Sequence, residues 1–163
     1  MSAPMGWGAS SLGHVAVSIN GQVFSFARSP SGGSDMEVSP FANYWADNDA
    51  TDILGVQLLL SADQEAGLEK TLRWIGDNWK WSSVEQNCVR AAGSALNSNG
   101  LWVMGTVMPH EFVRSLLQHP SAVGQSFYPS YANQTRGAGP LWSKANPIWG
   151  AGMWSAVTSG WSQ

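Results

Sequence analysis

Val15, Val17 and Ile19 alternate with His14, Ala16 and Ser18, the period of two that sends successive side chains to opposite faces of a half-buried strand. Asn20-Gly21 follows, a pair that suits a two-residue hairpin turn because both positions tolerate positive φ. Gln22 to Ala27 then returns as a second strand. A turn of that length sets the register, with Ile19 opposite Gln22, Val17 opposite Phe24, Ala16 opposite Ser25 and His14 opposite Ala27. One face of this hairpin carries Val15, Val17, Ile19, Phe24 and Phe26 and reads as core. The other carries His14, Ala16, Ser18, Val23, Ser25 and Ala27, small side chains around one imidazole that leave room for a helix. Ser25 is the diagonal neighbour of His14, with backbones about 7–8 Å apart.

Between Ser29 and Asp52 the pattern lapses, and SPSGGSD and ADNDATD read as loop. The run ILGVQLLL, Ile53 to Leu60, predicts a buried strand. Ser61 to Gln64 has the spacing of a capping box, and Leu68, Leu72, Ile75 and Trp79 form the apolar stripe of the helix it opens. A further helix carries Val89, Ala92, Ala95 and Leu96 inward and stops at Asn99-Gly100. Two starts compete for it: Asn87 as N-cap, or Ser82 with Glu85 as a capping box. Pro109 predicts the first position of another helix, with Phe112, Val113, Leu116 and Leu117 facing inward. From Tyr128 onward Gly, Ser, Asn and Trp dominate without a period, and Trp142, Trp149, Trp154 and Trp161 read as aromatic anchors over the core edge or as the lining of a groove for sugar or peptide. The expectation is one domain of 163 residues with a Trp/Gly-rich extension from about 128.

Composition narrows the class. Hydrophobic residues at 44% and charged residues at 12% describe a chain that buries a core. A net charge of −3 and a pI of about 5.4 argue against a nucleic-acid partner. There is no run of about 18 apolar residues, so no transmembrane segment is expected. The opening MSAPMGWGASSLGH has neither the basic nor the apolar region of a secretory signal. The chain is therefore expected to be made in the cytoplasm without its own export signal.

Cys88 is the only cysteine, so it is either a buried small hydrophobe or a reactive thiol. If Asn87 caps the helix, Cys88 stands in the first turn, where unpaired N–H groups and the helix dipole favour thiolate. A thiol pKa below the free value of about 8.5 is then expected. His14 is the second functional candidate, its alternative being an incidental surface histidine near a strand start; His110 and His119 lie on or beside the Pro109 helix, with His119 at its C-terminal end. No pair of His, Cys or carboxylate residues has a zinc spacing, and Asp47, Asp49 and Asp52 lack the glycine and the glutamate of an EF-hand. There is also no phosphate loop. No metal or other cofactor is expected.

Taken in order, GHVAVSINGQVFSFA, ILGVQLLLSADQEAGLEKTLRWI, NCVRAAGSALNSNGL and MPHEFVRSLLQ resemble a circularly permuted papain-like hydrolase of the NlpC-type superfamily, in the arrangement shared with lecithin–retinol acyltransferase relatives. In that family a Gly-His on a strand precedes an Asn-Cys at a helix start. The resemblance covers roughly Leu12 to Gln118 and leaves out the Trp-rich tail. It implies an α+β fold with an antiparallel sheet packed against the cysteine-bearing helix. It also implies Cys88 as nucleophile, His14 as base and a third polar residue on the strand after the histidine. That strand offers Ser25, where the family more often has histidine. Gln86 and Asn87, just ahead of the thiol, are the candidates for oxyanion or substrate contacts.

The implied activity is amide hydrolysis in peptidoglycan peptides. Without a signal sequence, such an enzyme would reach a target-cell periplasm by a non-classical route. It would be a type VI secretion effector, an antibacterial toxin dependent on secretion machinery and restrained by an immunity protein. A lipid or thioester acyl hydrolase or acyltransferase would use the same Cys-His pair. A non-catalytic binding module with a buried cysteine is a third reading.

Overall fold

The structure is a computed structural model that describes residues 13–29, 35–48, 52–128 and 158–159. The expected hairpin is present as β1 (Ala16–Ile19) and β2 (Gln22–Phe26), paired antiparallel with Ala16 opposite Ser25 and Ile19 opposite Gln22. Asn20 and Gly21 both take positive φ, 51° and 76°, as the two-residue turn requires. β2 then pairs antiparallel with β3 (Met36–Pro40), which leads directly into α1 (Phe41–Asp47). These two elements correct the expectation of an unbroken loop from Ser29 to Asp52. Only Met36 of β3 is buried. As an edge strand it takes its order from the hydrogen bonds of β2 and has no apolar periodicity to betray it.

β4 (Ile53–Leu58) is the expected buried strand and pairs antiparallel with β5 (Ala122–Tyr128). Between them in sequence run α2 (Ala62–Asn78), α3 (Cys88–Ser98) and α4 (Pro109–Leu117). The capping box of α2 is complete: Ser61 Oγ accepts the Gln64 N–H at 3.2 Å, and Gln64 Oε1 accepts the Ser61 N–H at 3.0 Å. In α4, Phe112, Val113 and Leu116 are buried, but Leu117 is exposed, contrary to expectation. His119 lies beyond α4, where its Nδ1 accepts the Ser121 N–H in the turn that enters β5.

The sheet has the order β3-β2-β1-β6-β4-β5. Its central member β6 (Thr158–Ser159) pairs parallel with both β1 and β4. The architecture is α+β, with antiparallel pairs on either side of one short parallel strand. A piece of the Trp/Gly-rich extension thus lies inside the sheet; Trp142, Trp149, Trp154 and Trp161 lie outside the described residues.

Two cores form on the two faces. Val15, Val17, Ile19, Phe24, Phe26, Leu54, Val56 and Leu58 meet α2, α3 and α4 through Leu68, Leu72, Ile75, Val89, Ala92, Leu96, Phe112 and Leu116. The opposite face is smaller: Ala16, Val23 and Ile53 meet Tyr44 of α1. The small-residue face of the hairpin therefore receives α1, while the cysteine helix packs on the larger core face.

Candidate functional site

α3 begins at Cys88 with Asn87 as its N-cap, in extended conformation (φ −103°, ψ 179°). Asn87 Oδ1 accepts the Arg90 N–H at 2.9 Å, which satisfies one of the orphan donors of the first turn. The competing start fails as a helix but survives as a turn, since Ser82 Oγ accepts the Glu85 N–H within the loop. Asn87 is 7% exposed, and its Nδ2 donates to the carbonyls of Ser83 and Val107. With both ends of the side-chain amide engaged, Asn87 is the frame of the thiol.

Gln86 closes the loop ahead of the helix. Its backbone carbonyl accepts the Ser82 N–H and its Oε1 accepts the Lys80 N–H at 3.0 Å. The oxygen end of the amide faces the loop, which leaves the NH2 end as the end able to donate elsewhere.

Three backbone N–H groups point at the Cys88 sulfur: those of Cys88 itself, Val89 and Val15. The first two belong to the opening turn of α3, and the third comes from the residue after His14. Each favours thiolate, yet burial outweighs them and pushes the thiol pKa up. This reverses the expectation of a depressed value. A helix N-terminus supplies its full effect to a solvated sulfur, whereas Cys88 packs against the larger core.

His14 enters just before β1, preceded by Gly13 at φ 95°, a backbone angle open to glycine. The ring is half-buried, and its Nε2 lies 2.9 Å from Ser25 Oγ. Ser25 is 7% exposed, so the register expected from the two-residue turn produces a sheltered pair. Burial lowers the imidazole pKa to about 4, so the ring is neutral at pH 7. His14 and Ser25 belong to the sheet face covered by α1, and Cys88 to the face covered by α3. They converge just ahead of β1, where the Val15 amide, next to His14, faces the Cys88 sulfur. Among the described residues the thiol makes no hydrogen bond to the imidazole.

Asp47 closes α1, Asp52 precedes β4, and Asp49 lies outside the described residues. No group of three or more His, Cys, Asp or Glu residues suited to a metal ion occurs among the described residues. No described helix is long and apolar enough to cross a membrane.

Sequence reasoning missed Asp35. Its Oδ1 accepts the Ser29 N–H at 2.9 Å and its Oδ2 accepts the Trp81 N–H at 2.8 Å. These two bonds, the Trp81 bond first, hold its carboxyl below the usual carboxylate range against an opposing effect of burial. A carboxylate in a turn-rich stretch carries no sign that it will meet a backbone amide far along the chain. No protein-family model matches this chain, and neither does a curated protein or a solved structure.

Proposed function

We propose that this chain is a cysteine-dependent hydrolase that cleaves amide bonds in peptidoglycan peptides, in the permuted papain-like arrangement of the NlpC-type superfamily. The observation that carries the reading is a lone thiol at the first residue of a capped helix, faced by the amide of Val15, whose neighbour His14 is a half-buried neutral imidazole held by Ser25. A neutral imidazole is free to accept a proton, as a general base must be. Ser25 engages Nε2, so Nδ1 is the ring nitrogen left for the thiol.

In this mechanism the thiol and imidazole are both neutral at rest. As sulfur attacks the acyl carbon, the thiol proton passes to His14 and the C=O electrons move onto oxygen. The N–H groups at the start of α3 stabilise that oxyanion, with the NH2 end of Gln86 as the side-chain donor. Collapse expels the amine, which takes the proton from the imidazolium. Water, deprotonated by the same imidazole, then cleaves the thioester and restores the thiol. Substrate binding has to draw the two groups together, since catalytic hydrogen bonds often tighten only in the Michaelis complex.

In this reading the enzyme is delivered by secretion machinery of the type VI kind into a target periplasm, with an immunity protein protecting the producer. The test is incubation with purified peptidoglycan beside phospholipid, wild type against Cys88→Ala, with products read by mass spectrometry. Release of peptides or of free amines from peptidoglycan by the wild type alone supports the reading. Acyl release from phospholipid alone assigns the pair to lipid chemistry.

One observation favours a non-catalytic module: Cys88 packs on the core and its thiol is pushed toward the protonated form. Cys88→Ala with no change in any product, and binding to peptidoglycan retained, identifies that case.

A further inference from the structure

Among the described residues, the loop that delivers Cys88 is tied to other segments near its end by Asn87 Nδ2, which donates to the Val107 carbonyl, and near its start by Asp35. Within residues 80–87 the amides of Lys80 and Ser82 are taken by Gln86, and the amide of Glu85 by Ser82. The Trp81 amide, between the two held by Gln86, goes to Asp35 Oδ2, 46 residues away at the start of β3. The other carboxylate oxygen holds the Ser29 amide, and the Asp35 carbonyl accepts the Ala27 N–H at 2.9 Å. Asp35 is thereby fixed to the β2–β3 connection by two hydrogen bonds before it reaches across to the loop. Nearby, the Phe26 and Trp79 rings meet edge to face, with centroids 6.3 Å apart.

We infer that Asp35 is a positioning residue for Cys88: its carboxylate docks the 80–87 loop onto the β2–β3 hairpin and so sets the surroundings of the thiol at the start of α3. The inference rests on Cys88 being the functional group of the site. Charge matters to this role, because a carboxylate accepts two N–H donors at once and binds each more strongly than a neutral acceptor. Asparagine has the same shape but only one acceptor atom, and its NH2 would confront an N–H donor.

The test uses the full chain and needs no substrate. In Asp35→Asn, exchange of the Trp81 amide with solvent is expected to quicken by about tenfold or more. The pH of half-maximal Cys88 alkylation by iodoacetamide is expected to fall by about half a unit or more, toward the free-thiol value, as the undocked loop no longer holds the start of α3 against the core. Val113→Ala, a core change in α4 that leaves the Asp35–Trp81 bond's own groups in place, serves as a comparison for lowered stability; its alkylation midpoint should stay with the wild type. Faster Trp81 exchange with an unmoved alkylation midpoint overturns the positioning role and leaves Asp35 as a loop anchor. An equal midpoint shift in Val113→Ala also overturns it. Turnover enters none of these readouts, so failure to find a substrate sinks the hydrolase reading and not this one.

Discussion

His14 Nε2 and Ser25 Oγ stand 2.9 Å apart across a hairpin whose register pairs Ala16 with Ser25. A hydroxyl both donates and accepts, so Ser25 fixes the plane of the imidazole without dictating which nitrogen carries the proton. A buried carboxylate in the same place would do more, because it would also stabilise the imidazolium that forms during catalysis. The pair accordingly describes a base that is well oriented and weakly supported.

Ser25→Ala is therefore expected to reduce turnover by roughly tenfold, or about 1.4 kcal/mol in the transition state. Alanine variants of Asp47, Asp49 and Asp52 should stay close to the wild type. Steady-state kinetics across the four variants decides the matter. A loss beyond about a thousandfold in one Asp variant, with Ser25→Ala unaffected, transfers the orienting role to that carboxylate.

The thiol is expected to titrate late. With burial pushing its pKa up, alkylation of Cys88 should reach half its maximal rate above the free-thiol value of about 8.5. His14→Ala should abolish turnover yet move that midpoint little, because the resting pair is neutral on both sides. His110→Ala and His119→Ala should retain most activity. A midpoint well below the free value that rises in His14→Ala would instead establish a resting thiolate–imidazolium pair.

Parts of this site were legible because they are local. Asn20-Gly21 dictates a two-residue turn, the turn dictates register, and register brings Ser25 to His14. Asn87 caps by a bond three residues long, so its role follows from its type and position. What escaped is non-local. β3 exists because the outer edge of β2 offers hydrogen bonds, not because MEVSP has a pattern of its own. β5 alternates small residues such as Gly124 and Ser126 with Val123 and Gln125, which resembles a loop until it lies beside β4. The thiol's upward shift depends on how deeply α3 packs, which helix position alone does not determine.

Folding stability should carry the signature of His14. Its pKa is lowered from 6.5 to about 4 in the folded chain, so between those values the unfolded state binds a proton that the folded state does not. Stability then rises with pH through this window and is flat, as far as this group is concerned, above and below it. A shift of that size corresponds to about 3 kcal/mol over the full window. Urea unfolding at about pH 4.5 and pH 7 should show most of that difference in the wild type and little of it in His14→Ala, where any residual slope reports the carboxylates. Parallel slopes in the two proteins would show that His14 is solvated and titrates near its ordinary value.

Gln86 separates loop building from catalysis, because its two amide ends have different tasks. Oε1 accepts the Lys80 N–H, and the backbone carbonyl accepts that of Ser82, so the residue folds the loop that precedes the thiol. The NH2 end is the proposed oxyanion donor. Gln86→Glu keeps an acceptor for Lys80 and deletes the donor, while Gln86→Ala deletes both. Loss of an oxyanion donor typically costs about 2.7–4 kcal/mol in kcat, or on the order of 10²–10³-fold. Both variants should therefore lose kcat to that extent with KM little changed. Only Gln86→Ala should also lose stability, by about 1 kcal/mol for the missing loop bond. If Gln86→Glu turns over like the wild type while Gln86→Ala is unstable, the side chain serves the loop alone, and the N–H groups of α3 must hold the oxyanion unaided.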